Sequence, residues 1–199
     1  MADLFDRLSR LYEEGHAREI SGLLTDANLS DGRATPAAVL IAVTDRDNPG
    51  VILTQRPRGM RDHPGQVAFP GGRLDRGEDA VTAAVREADE ELALPPEAVR
   101  VIGTSDVYHT GTGFLVTPVL SVVPPDLPLT PSPSEVEAWF EAPLDLLLTR
   151  ANWESQEVHW KGQWRRYYEM DYEGFRIWGV TAAIILNLAR RIDVSALRY

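Results

Sequence analysis

The stretch Phe69 to Leu94, FPGGRLDRGEDAVTAAVREADEELAL, constrains this chain more than any other. From about Glu78 to Ala93 its apolar residues Val81, Ala84, Val85, Ala88 and Leu92 recur at spacings of 3, 1, 3 and 4. At about 100° per residue these fall in one stripe of an α-helix. A helix with one apolar stripe must bury it against a sheet or another helix. Pro95 and Pro96 stop it. Before it, Phe69-Pro70-Gly71-Gly72 reads as a strand ending on two glycines, followed by a polar loop from Arg73 to Gly77. Glu87, Glu90 and Glu91 fall together on a second face of the helix. Like charges one turn apart repel by roughly 0.2–0.5 kcal/mol per pair. A helix gains nothing structural from that repulsion unless the charges are well solvated or meet a cation.

Clustered carboxylates are hard oxygen ligands suited to Mg²⁺ or Mn²⁺. Mg²⁺ usually combines a few carboxylates with waters and substrate phosphate oxygens, so a metal here points to a phosphate substrate. Arg86 can pair with Glu90 at i, i+4 and orient it. Glu78 sits at the helix start, where the dipole favours a negative charge, and is placed to brace the loop before it.

Gly72, Glu78, Arg86, Glu87, Glu90 and Glu91 together resemble the Nudix box, G-x5-E-x7-R-E-U-x-E-E-x-G-U, where U is a bulky aliphatic. The glycine, the arginine and all four glutamates are in register. Ala88 is smaller than usual, and Ala93 stands where the family has its last glycine. A glycine there allows a left-handed cap, which alanine resists. The resemblance implies an α/β fold, an α/β/α sandwich with a mixed sheet and the box as a loop-helix.

The rest of the chain is compatible. Its 199 residues suit one domain with a real core. Without cysteine, neither disulfides nor thiolate metal sites are possible. A net charge of −10 disfavours nucleic acid and anionic membrane as partners. Against that background, residues 51–76 are locally basic: Arg56, Arg58, Arg61, Arg73 and Arg76 outnumber Asp62 and Asp75. Residues 1–32 read as an N-terminal helical extension packed on a domain spanning 33–199. Leu4, Phe5, Leu8, Leu11 and Tyr12 form one amphipathic helix, and Ala17 to Leu24 suits a second. Asp3, Asp6, Arg7 and Arg10 interrupt any signal-peptide run, so a cytoplasmic protein is expected. Strands are expected at Pro36–Thr44, Val51–Thr54, Arg100–Thr104, Leu115–Val123 and Glu135–Phe140. A hairpin is expected around Lys161-Gly162-Gln163, and a C-terminal helix over Trp178–Ile192. The apolar run in that helix is far short of the roughly 20 residues that span a bilayer.

Leu53-Thr54-Gln55-Arg56, Arg61, Gly65 and Phe69-Pro70-Gly71-Gly72 resemble the additional motif of coenzyme A diphosphatases, with Pro57 where serine or alanine is usual. Ser134-Glu135-Val136-Glu137 and Ile177 to Ala182 also look like that subfamily. The resemblance implies Mg²⁺- or Mn²⁺-dependent hydrolysis of coenzyme A or its thioesters. The products would be adenosine 3′,5′-bisphosphate and 4′-phosphopantetheine or its acyl form. Glu87, Glu91 and Glu90 are the expected metal ligands. Glu90, Glu91, Arg86 and Glu78 are the expected catalytic set, and Arg56, Arg61, Phe69, Gly71 and Gly72 the expected substrate contacts. ADP-ribose or NADH as substrate, and an inactive nucleotide-sensing module, are the alternatives.

Overall fold

A computed structural model describes residues 3–30, 32, 34–60, 63–160 and 162–197. Arg61 lies outside the described residues. The central strand β1 (Thr35–Thr44) runs parallel to β7 (Phe114–Val123) through ten paired residues. Its residues alternate between two cores, as the period of a strand requires. Ala37, Ile41 and Val43 enter one core and Ala38, Leu40 and Ala42 the other. Burial on both faces is why the segment reads as an unbroken apolar run.

Among the described residues the main sheet has eight strands. Antiparallel to β1 lie β2 (Gly50–Gln55) and β4 (Gly71–Arg73). Strand β2 carries β3 (Val67–Ala68) and β8 (Ala138–Pro143), and β7 carries β5 (Arg100–Thr104) and β6 (Tyr108–His109). Helix α2 (Ala80–Leu92) covers one face through Ala83, Ala84, Ala88 and Leu92. The small alanines let its backbone come close to the strands. The other face is covered by α1 (Leu4–His16), α3 (Leu144–Leu148) and α4 (Gly179–Arg191). Strands β9 (Glu154–Trp160), β10 (Gln163–Tyr172) and β11 (Phe175–Trp178) form a separate antiparallel sheet. The result is the expected mixed sheet between helices. Among the described residues no helix is long and apolar enough to cross a membrane.

Three expectations are corrected. Residues 17–24 carry no helix, because α4 side chains satisfy their backbone instead. Asn187 bonds both the N–H and the carbonyl of Leu24 at 2.8 and 2.9 Å, and Arg190 donates to Ser21 and Gly22. The glycines Gly71 and Gly72 do not end a strand but open one, β4, because the chain turns at Phe69-Pro70. Strand β8 begins at Ala138 and not at Glu135. The residues before it are held by loop bonds, including Glu137 N–H to Gln55 O at 2.8 Å.

Candidate active site

Helix α2 is defined by its own ends. Asp79 caps the start, its carboxylate accepting from the Thr82 amide at 2.9 Å. At the other end Ala93 adopts φ 52°, ψ 38°, with Ala93 N–H to Asp89 O at 2.7 Å and Leu94 N–H to Ala88 O at 3.4 Å. This is a left-handed (αL) cap built on alanine where glycine is favoured.

The glutamates are graded in exposure. Glu91 is 5% exposed and Glu90 carries a side chain 55% exposed, with Glu87 between them. Arg86 ties the group together. Its Nε and Nη2 donate to both oxygens of Glu78 at 2.9 and 3.0 Å, and its Nη1 donates to Glu87 at 2.9 Å and Glu90 at 3.0 Å. Nη2 also reaches the Arg73 carbonyl at 3.2 Å, which fixes α2 against β4. Glu78 Oε2 accepts from the Asp75 amide at 2.9 Å, bracing the loop. The Arg86 contact, then the Asp75 amide, hold the Glu78 carboxyl below the usual range. Of the expected ligands, Glu87 and Glu90 share Arg86. Glu91 stands apart on the buried side.

Glu91 is the unusual group. Its Oε2 is buried with no hydrogen-bond partner among the described residues. Burial first, then the charges of Glu87 and Glu135, push its carboxyl up to about 8. Burial likewise raises Glu87, with the Arg86 contact opposing. Arg56 opposes the shift of Glu91 from the other side, and its own Nε is buried without a hydrogen-bond partner among the described residues.

Strand β4 brings this cluster to a cavity. A side chain on Gly71 would strike the backbone of Ala38 and Val39, and one on Gly72 would strike the Glu87 carboxylate. Gly71 therefore requires glycine, whereas a side chain at Gly72 fits only if the Glu87 carboxylate is displaced. The adjoining cavity of about 570 Å³ is lined by Arg56, Phe69, Gly71, Gly72 and Arg73, with Phe114 and Val180 further along. Phe69 is both core, at 3% exposure, and cavity wall. Arg58, in contrast, is a surface residue beside Glu137.

The NUDIX domain model matches residues 34–161, which include every residue of this cluster. The chain belongs to the NUDIX domain family. Nudix hydrolase NudL of Escherichia coli K12, itself named as uncharacterized, is 46% identical over 160 residues, covering 80% of this chain and 83% of the relative. NudL of Shigella flexneri matches equally. The fold is shared with the crystal structure of a Nudix hydrolase from M. smegmatis, RenU, at a TM-score of 0.51 and 24% identity, over 64% of this chain and 82% of that one. The protein is thus a Nudix hydrolase, acting on the diphosphate linkage of a nucleoside diphosphate derivative.

Nudix hydrolases generally use divalent ions such as Mg²⁺ or Mn²⁺, and the residues here fit one. Among the described residues no three acidic or imidazole groups close into a ready-made cage. Mg²⁺ needs few protein ligands when phosphate and water supply the rest. The buried, unpartnered Glu91 oxygen and the mutual repulsion of Glu87, Glu91 and Glu135 are what a dication relieves. Sequence reasoning missed Glu135 as a neighbour of the site, although the tetrapeptide containing it was noted. The loop reaches the site because Ser132 N–H bonds the Glu91 carbonyl at 2.8 Å, a contact no local pattern announces. Arg73 and Phe114 were likewise missed as cavity walls.

Proposed function

We propose that this Nudix hydrolase cleaves the diphosphate of coenzyme A or acyl-coenzyme A, releasing adenosine 3′,5′-bisphosphate and (acyl-)4′-phosphopantetheine. The supporting observation is how the LTQR…FPGG stretch folds. Strands β2 and β3 pair, Arg56 N–H bonds the Gln66 carbonyl at 3.0 Å, and Arg56 and Gly71-Gly72 line one cavity beside Glu91. A locally basic stretch in an acidic chain thereby meets the acidic helix face, as a metal-bridged diphosphate requires.

In this reading Glu87 and Glu91 hold Mg²⁺ or Mn²⁺, with Glu90 as ligand or water-activating group. When bound, the ion neutralises diphosphate charge and lowers the pKa of attacking water. Arg86 keeps Glu87 and Glu90 oriented, and Glu78 keeps Arg86 in place. Arg56 offers a guanidinium with an unused buried N–H to a phosphate oxygen. Gly71 and Gly72, having no side chains, let β4 lie close against β1 and the Glu87 carboxylate where the cavity opens.

The test is product analysis after incubation with Mg²⁺ and, separately, coenzyme A, ADP-ribose and NADH. Release of adenosine 3′,5′-bisphosphate with the highest kcat/KM on coenzyme A is the expected result. Preference for ADP-ribose or NADH would move the substrate elsewhere within the family. Binding without product would indicate a sensing module.

A further inference from the structure

We propose that the cavity beside Gly72 receives the nucleotide half of the substrate, with the adenine laid against Phe114 under the guanidinium of Arg73. This rests on the coenzyme A reading above. In a chain of net charge −10, the described residues lining the cavity include Arg56, Arg73 and His63 and no carboxylate. Outside its diphosphate, coenzyme A is anionic at one end only, the ribose 3′-phosphate. The pantetheine arm is neutral. A cavity that concentrates arginine selects the anionic half.

The cavity floor is the sheet where β4, β1 and β7 lie side by side, with Ala37 opposite both Arg73 and Val116. Its small residues leave a flat surface. At one edge stands Phe114, with its amide bonded to the Thr110 hydroxyl at 2.9 Å and its ring packed on the core. The Arg73 guanidinium lies 5.2 Å from the centre of that ring. Arg73 is exposed, so its arm can lift by the thickness of a base while Phe114 stays anchored. An aromatic plate facing a guanidinium plate suits a purine, which stacks on both. A flexible arm with two small, separate amide planes offers much less area to either and loses more freedom on being held. Gln66 and Thr112 on the same wall supply an amide and a hydroxyl for the base edge.

The direction of the substrate follows. The diphosphate crosses at Gly71-Gly72 beside Glu87, the adenosine runs over the sheet toward Phe114, and the pantetheine arm leaves on the opposite side. Chain variation in an acyl group then never enters the cavity.

The experiment is calorimetric binding of the two product halves in Mg²⁺, adenosine 3′,5′-bisphosphate and 4′-phosphopantetheine, to wild type, Phe114→Ala, Phe114→Leu and Phe114→Tyr. Phe114→Leu keeps apolar volume and removes only the aromatic face, so a folding defect in the alanine variant does not decide the outcome. Loss of a stacked base weakens binding by about 5- to 150-fold. The expected result is that loss for the bisphosphate in the alanine and leucine variants, near-wild-type affinity in the tyrosine variant, and no change for phosphopantetheine. Loss confined to phosphopantetheine, or unchanged affinity for both halves, overturns the proposal. Absence of coenzyme A turnover by the wild type is a separate result. It removes the substrate reading, while bisphosphate binding that depends on the Phe114 ring would still identify the cavity as a nucleotide site.

Discussion

A β-carbon on Gly72 would lie 2.4 Å from the carboxyl carbon of Glu87. The glycine of the box is therefore a seat for its glutamate. Gly72→Ala should displace a side chain, leave the backbone intact and cut turnover at least tenfold, with a raised Mg²⁺ requirement. Gly71→Ala meets the Ala38 carbonyl at 2.4 Å and should instead lower Tm. Mg²⁺ titrations of kcat beside thermal melts separate the two; equal loss of Tm in both variants would contradict the distinction.

Glu91→Gln keeps the shape of a buried side chain and removes its charge. Burying an ion is costly unless it is paired, so the metal-free variant should be as stable as the wild type or more so. Most Mg²⁺-dependent turnover should disappear. Near-normal rates at saturating Mg²⁺ would take Glu91 out of the ligand set.

Ala93 occupies the left-handed region at the end of α2. Ala93→Gly relieves strain there but also loosens the unfolded chain, so a net stabilisation of up to ~1 kcal/mol is expected. Urea denaturation measures it, and a destabilised variant would show that alanine fits this cap without penalty.

Asp106 accepts two hydrogen bonds from Arg191 at 2.8 and 2.7 Å, and Arg191 also donates to the Gly15 carbonyl at 3.1 Å. This clasp joins α1 to α4. The Arg191 contact holds the Asp106 carboxyl below its ordinary value. Its contribution is therefore present above the unfolded pKa, about 3.9, and is lost as pH falls through the lower folded value. Asp106→Asn should destabilise the protein at pH 7 by roughly 3 kcal/mol, because it leaves Arg191 buried without its counter-charge. The deficit should shrink below pH 4. Urea melts from pH 3 to 7 test this, and a deficit independent of pH would assign it to packing.

Arg56→Ala and Arg61→Ala address the 3′-phosphate. A charge-assisted hydrogen bond is worth roughly 1.5–3 kcal/mol, so the residue that reads this group should weaken kcat/KM about 10- to 150-fold on coenzyme A and hardly on 3′-dephospho-coenzyme A. Equal losses on both substrates would place the arginine at the diphosphate.

Helix α2 was legible because its stripe and its Glu87–Glu91 spacing are local; its start was read at Glu78, and the Asp79 cap emerged only in the structure. The buried strand β1 was legible from its apolar run, although not its two-sided packing. Arg86 with Glu90 was predictable at i, i+4. Its bidentate grip on Glu78 was not, since it depends on a loop folding back over the helix start. Glu135 and Phe114 reach the site only through long-range pairing, of which sequence spacing carries no trace. The mistaken helix at Ala17–Leu24 shows the converse: a segment of passable helical composition stays irregular when Asn187 and Arg190 of a distant helix satisfy its backbone.

The parallel registry of β1 with β7 begins at Thr35 and Phe114, so roughly eighty residues of chain must be looped before the first pair can close. Such long-range pairings form slowly. A polypeptide emerging from the ribosome exposes the carboxylates of α2 well before β7 exists to complete the sheet that carries them. Catalytic competence in a nascent chain should therefore appear abruptly, and only after Val123 has cleared the exit tunnel.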